Sequence, residues 1–122
     1  MAKLKILLAD DDAINRKLFS YILKEISSDL LLASNGVEAI NTYKEHSDID
    51  LILMDLKMPE MDGYEATHYI RELNPDIKIL ALSAFSVSTE GGKAVRNGFD
   101  DYVAKPVIKD DLMQTIGKYF EI

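Results

Sequence analysis

The chain has no cysteine. That excludes a disulfide framework and a thiolate metal site, and it accords with a reducing compartment. It has no apolar run approaching the ~20 residues needed to cross a bilayer, and acids follow the first apolar stretch too soon for a signal peptide. We therefore expect a cytoplasmic chain without direct membrane contact. Positive charge is scarce: 14 Lys and Arg stand against 21 Asp and Glu, for a net charge of -7. Affinity for nucleic-acid backbones comes from Lys and Arg, and no basic stripe with interleaved aromatics is present, so nucleic acid is not an expected partner. There is also no linker, repeat or low-complexity tract. A length of 122 residues fits one domain, spanning 1–122, and such a domain buries roughly two-thirds of its unfolded surface.

What is present alternates between two kinds of segment. Residues 4–9 are a short apolar run of strand length. Ile14, Leu18, Ile22 and Ile26 then recur every fourth residue, which predicts a helical stripe. Residues 30–33 again look like a strand. Asn35 and Glu38 have capping-box spacing, and Val37, Ile40 and Tyr43 continue that helix. Residues 51–54 predict a third strand. Asp62 is placed to cap a third helix with Glu65 reciprocating, facing Ala66, Ile70 and Leu73 inward, and Asn74 before Pro75 ends it. Residues 77–82 predict a fourth strand. Residues 86–97 predict a soft helix, because Gly91 and Gly92 each cost about 1 kcal/mol of helix propensity, with Gly98 closing it. Residues 102–104 predict a fifth strand, and Ile108, Leu112, Ile116 and Tyr119 a last helix. Five β–α units imply an α/β fold: a parallel sheet covered on both faces, open and doubly wound.

Ligands of such sheets bind beyond the carboxyl ends of the strands. The first strand ends in Asp10, Asp11 and Asp12, the third in Asp55, the fourth in Ser83, and the fifth runs into Lys105 and Pro106. The second ends in Ala33 and Ser34 and offers nothing special. Asp10, Asp11 and Asp55 would bring three like charges together. At ~4 Å and an effective dielectric of 20, each pair repels by about 4 kcal/mol, so the cluster needs a cation or a raised pKa. Oxygen ligands without His or Cys select Mg²⁺, Mn²⁺ or Ca²⁺ over Zn²⁺. Mg²⁺ is the ion that shares its shell with substrate phosphate. Lys105 adds a cation and Ser83 a hydroxyl. The set suits phosphoryl transfer, with Asp55 as an acceptor able to form an aspartyl phosphate. Asp12 reads as a helix N-cap. His46 and His68 have no partner at ligand spacing.

These motifs resemble the receiver domain of two-component response regulators. The resemblance covers the chain from Lys3 to Phe120 and rests on four segments: 7–12, 54–63, 82–84 and 101–106. It implies a flavodoxin-like sheet of order 2-1-3-4-5. It also implies Asp55 as phospho-acceptor, with Mg²⁺ held by Asp10, Asp11, Asp55 and the backbone carbonyl of Lys57. Lys105, before a cis bond to Pro106, would pair with phosphoryl oxygens. Ser83 and Tyr102 match the switch pair, and Ala84 a small residue that leaves the acceptor accessible. The face of the fourth helix, fifth strand and fifth helix would change shape. Lys57 and Phe85 occupy positions that tune phosphate lifetime. Residues 13–18 and 63–67 look most like receivers of hybrid histidine kinases. The implied partner is a sensor histidine kinase or a histidine phosphotransfer protein, and the resemblance to hybrid kinases leaves room for a kinase fused in the full-length protein. Such a domain assists its own phosphorylation and dephosphorylation but is not a turnover enzyme. Two readings compete: a Mg²⁺-dependent phosphohydrolase with an aspartyl nucleophile, disfavoured because Lys57 stands where a second acid is wanted, and a docking module independent of phosphorylation.

Overall fold

The computed structural model describes residues 3–84 and 92–122. Ten elements alternate along the described residues. They are β1 (Leu4–Ala9), α1 (Ala13–Leu23), β2 (Ser27–Ala33), α2 (Gly36–Glu45), β3 (Leu51–Asp55), α3 (Gly63–Leu73), β4 (Lys78–Ser83), α4 (Gly92–Arg96), β5 (Asp101–Ala104) and α5 (Lys109–Gly117). The strands form one parallel sheet in the order β2-β1-β3-β4-β5. This is the doubly wound, flavodoxin-like order expected above.

Strand parity divides the core into two. Leu4, Ile6 and Leu8 of β1 join Leu51, Leu53, Leu80 and Leu82 on one face. Leu7, Ala9, Ile52, Met54, Ile79 and Ala81 point to the other. A strand covered on both sides must be apolar at successive positions, which is why these segments read as continuous runs. The first face receives Phe19, Ile22 and Leu23 from α1 with Leu112 and Ile116 from α5. The second receives Ala39, Ile40 and Tyr43 from α2, Ala66 and Ile70 from α3, and Ala94 from α4.

The predicted α1 stripe is corrected. Ile14 is 78% exposed and Leu18 42%, while Phe19, Ile22 and Leu23 carry the contact. An α-helix turns about 100° per residue, so a strict fourth-residue repeat drifts about 40° per step around the helix. The buried set instead uses the three- and four-residue spacing that keeps to one face. Leu73, expected inward, is half exposed, as is Ile108, which sits at the N-cap of α5 rather than within it. β2 starts at Ser27 rather than Leu30, because pairing with β1 uses backbone groups and needs no apolar side chain. Asn35 and Asp62 cap α2 and α3 as predicted. Glu38, however, bonds the amide and hydroxyl of Ser34, one residue before the cap. Of the helix expected over 86–97, the described part is α4, and Gly98 follows it at φ 99°. Phe85, Ser86 and Gly91 lie outside the described residues. Among the described residues no helix is long and apolar enough to cross a membrane.

Candidate functional site

The sheet register assembles the acids. β1 and β3 are neighbours with Ala9 opposite Met54, so the next residues, Asp10 and Asp55, stand side by side where both strands end. Asp11 follows on the β1–α1 loop. One carboxylate oxygen from each of Asp10, Asp11 and Asp55 lies within 4.8 Å of the others. Asp10 and Asp55 are buried and Asp11 is exposed. Asp12 turns away to cap α1, accepting from the Ile14 amide at 2.9 Å.

From the other side, β4 ends at the buried Ser83. The Lys105 amide donates to the Ser83 carbonyl at 2.7 Å, which ties the end of β5 to β4. The Lys105 side chain reaches back across the rim. Its Nζ lies 3.0 Å from Oδ2 of Asp55 and 3.0 Å from Oδ2 of Asp10. The first contact is a directed hydrogen bond. The second is an ion pair, and Asp10 Oδ2 has no hydrogen bond of good geometry among the described residues. The Lys105–Pro106 peptide is cis, as the resemblance implied. A cavity of about 140 Å³ opens here, lined by Asp55, Lys57, Ser83, Ala84 and Lys105 among others.

The β3–α3 loop wraps the acceptor. The Lys57 amide donates to Asp55 Oδ1 at 3.3 Å. The Gly63 amide donates to the Leu56 carbonyl at 3.1 Å, which presses the start of α3 onto the back of β3. A Cβ on Gly63 would stand 2.2 Å from the Asp55 carbonyl oxygen, so this close approach demands glycine.

Burial pushes the Asp55 carboxyl above the usual range, and the neighbouring Asp10 charge adds to this, against the opposing pull of Lys105. For Lys105, burial acts to lower the ammonium pKa, but its contacts with Asp55 and Asp10 outweigh that and leave it raised. One lysine thus serves two buried acids while the exposed third acid stays outside its reach. The donor set is all oxygen, three carboxylates converge, and one buried oxygen lacks a directed partner. That chemistry fits a hard divalent cation.

Asp10, Asp11, Asp55, Ser83, Lys105 and Lys57 therefore gather at one rim. Tyr102 does not join them: it lies half-buried on β5 and packs against the core on the α2–α3–α4 side. His46 Nδ1 sits 3.2 Å from Lys5 Nζ, at the opposite ends of the strands, and His68 is exposed. Two arginines escaped the sequence reading. Arg16 donates to the Asp10 carbonyl at 2.7 Å. Arg71 donates to the carbonyls of Gly98, Pro75 and Ile77 and to Asp100, fastening the approach to β5. Nothing local in the sequence separates either from an ordinary surface arginine.

Residues 6–117 match the family model described as the response regulator receiver domain. Among curated relatives, hybrid signal transduction histidine kinase B of Dictyostelium discoideum is 40% identical over 94% of this chain and 6% of its own length. The chain spans only 12% of the first-matched curated sensor kinases. Among solved structures, the receiver domain of Ssk1 from Saccharomyces cerevisiae, in complex with the histidine phosphotransfer protein Ypd1, is 31% identical with a TM-score of 0.88. That match covers 97% of this chain and 89% of the other. The receiver domain of the sensor histidine kinase PA1611 from Pseudomonas aeruginosa, with magnesium in its active-site cleft, is 29% identical with a TM-score of 0.85. It covers 97% of this chain and 98% of that one. A family model that accounts for nearly the whole sheet and its rim leaves a single assignment: the chain belongs to the response regulator receiver domains of two-component systems, a signalling family rather than one of turnover enzymes.

Proposed function

We propose that Asp55 accepts a phosphoryl group from a phosphohistidine on a sensor histidine kinase or histidine phosphotransfer protein. In that step the P–N bond to the imidazole breaks as an Asp55 Oδ–P bond forms, and the departing imidazole keeps the electron pair and takes up a proton. Asp10, Asp11 and Asp55, with the backbone carbonyl of Lys57, would hold Mg²⁺, which would supply positive charge toward the phosphoryl oxygens. Lys105 leaves its ion pair with Asp55 to meet a phosphoryl oxygen. Ser83 donates its hydroxyl to another oxygen, and Ala84 keeps the approach open. The observation that carries this reading is the Lys105 ammonium at 3.0 Å from both buried acids, a cation poised where phosphoryl charge would arrive.

Movement of Ser83 toward the phosphoryl group makes room for Tyr102 to turn inward, and the α4–β5–α5 face changes shape. The half-buried position of Tyr102 on β5 supports this. Docking of a partner is supported by α1, whose Ile14, Leu18 and Tyr21 form an exposed apolar stripe that begins just past the acid cluster. The Ypd1 complex of the Ssk1 receiver is in keeping with a phosphotransfer partner. Curated kinase relatives are in keeping with a kinase fused in the full-length protein. In this reading residues 1–122 act as one receiver domain in the cytoplasm.

The test is uptake of one phosphoryl group from acetyl phosphate, followed by intact mass. Mg²⁺-dependent gain by the wild-type chain and no gain by Asp55→Asn is the expected result. Equal gain by Asp55→Asn overturns the acceptor assignment.

A further inference from the structure

We infer that Arg16 is a positioning residue for the divalent ion, holding Asp10 through its main-chain carbonyl in the orientation the acid cluster requires. The inference rests on the ion reading above.

Asp10 is fully buried, and each of its polar groups is held by a different part of the rim. Its amide donates to the Ala33 carbonyl of β2 at 3.0 Å. Its Oδ1 accepts from the Asp12 amide at 3.0 Å. Its Oδ2 faces Lys105 at 3.0 Å. The carbonyl that remains is taken by Arg16 Nη1 at 2.7 Å. Arg16 lies in the first turns of α1, where its own amide closes on the Asp12 carbonyl at 2.9 Å and its carbonyl accepts from Ser20 Oγ at 2.7 Å. The helix thus anchors the guanidinium, and the guanidinium anchors the loop that presents Asp10 and Asp11.

The brace extends into the strand end that looked uninformative. Glu38 bonds the Ser34 amide and hydroxyl, each at 2.9 Å. Those bonds chiefly hold its carboxyl below the usual range, with a smaller contribution from the Arg16 charge. The Gly36 amide donates to the Met61 carbonyl at 3.0 Å, which joins the β2–α2 loop to the β3–α3 loop that wraps Asp55.

A guanidinium beside an acid cluster has two opposite effects. Its charge repels a divalent ion, whereas its hydrogen bond fixes the loop that supplies the ligands. The geometry favours the second. Arg16 donates to a carbonyl, and among the described residues no ion pair joins it to an acid of the cluster. Residues that orient metal ligands in this way typically change affinity by about tenfold or more when removed.

Calorimetric titration with Mg²⁺, paired with thermal melts of the metal-free chains, tests the inference. Arg16→Met should bind Mg²⁺ about tenfold more weakly than wild type. Arg16→Lys, which keeps a donor, should recover most of the loss. With acetyl phosphate, the Mg²⁺ concentration for half-maximal uptake should rise in Arg16→Met while the rate at saturating Mg²⁺ stays near wild type. Should Arg16→Met fail to fold, Arg16→Leu, which also lacks a donor, takes its place with the same expectation. Equal or tighter Mg²⁺ binding by the neutral variant overturns the inference, because charge rather than position would then dominate. No Mg²⁺ binding by wild type would instead remove the ion reading beneath it.

Discussion

Asp55 carries its negative charge at a cost to the fold. Its pKa is raised in the folded chain by burial and by Asp10, so the protonated form is the better accommodated one. The stability it contributes is fully present below the ordinary carboxylate pKa and is lost as pH rises through the raised value. Thr67 is a simpler case. It is fully buried on α3, and its hydroxyl has no hydrogen-bond partner among the described residues. Burying an unsatisfied hydroxyl costs about 1–3 kcal/mol, whereas a methyl of the same shape has no such penalty. Thr67→Val should therefore stabilise the chain by about 1 kcal/mol, seen as a higher denaturant midpoint with an unchanged slope. A lower midpoint would mean that the hydroxyl is satisfied in solution. Asp12 shows how much can be legible at this scale: a short acid ahead of a helical pattern signals an N-cap, and the cap is there. Thr67 gave no such signal, because only the packing of α3 determines which of its side chains lose water.

Among the elements, α1 and α5 teach different lessons. The aliphatic spacing of α1 points to Leu18, yet Phe19 makes the contact. Which arc of a helix is buried depends on where the sheet lies, and spacing alone fixes that arc only when it follows the true helical period. The last turn after α5 is secured by Tyr119, whose single hydroxyl proton is shared between Asp101 Oδ2 at 3.0 Å and the Asp100 carbonyl at 3.1 Å. Burial and the Asp101 carboxylate push this phenol up to about 12. A raised folded-state pKa contributes stability that is whole below the ordinary phenol value of about 10 and disappears as pH climbs through the raised value. Alkaline unfolding should thus steepen above pH ~10, and Tyr119→Phe should flatten that limb. Thermal melts at stepped pH, with phenolate absorbance followed in parallel, check this; an unchanged alkaline limb in Tyr119→Phe would remove the assignment. The same residue also carries Lys78 over its ring at 5.6 Å, so β4 and the end of α5 are joined there.

For the molecule as a whole, two apolar layers flank the sheet while like charges collect at one rim. The layers fold the chain, and the rim opposes them. An ion that binds the folded rim and not the unfolded chain adds stability according to its concentration, about 2.7 kcal/mol at a hundred times its dissociation constant. Mg²⁺ should therefore raise the melting temperature of the wild-type chain in a concentration-dependent way, and Asp10→Asn should blunt that rise. The difference in melting temperature with and without ion is the measurement. No shift in wild type at millimolar-scale Mg²⁺ would contradict the acid cluster as an ion site.

Element order, the parallel sheet and the identity of the rim residues were all written in the chain. Alternating short apolar runs and helical segments admit few topologies, and parallel pairing sends every strand's carboxyl end to one edge. Acids, serine and lysine placed just past those runs must then meet, because strand order and register carry them there. What the sequence could not decide is which neighbours hold them. The Arg16 bond to Asp10, the single lysine shared by two buried acids, and the arginine clasp on Gly98 and Asp100 all join positions whose partners lie on other elements. Their energies come from desolvation and distance, and those quantities exist only once the sheet has brought distant segments within a few ångströms.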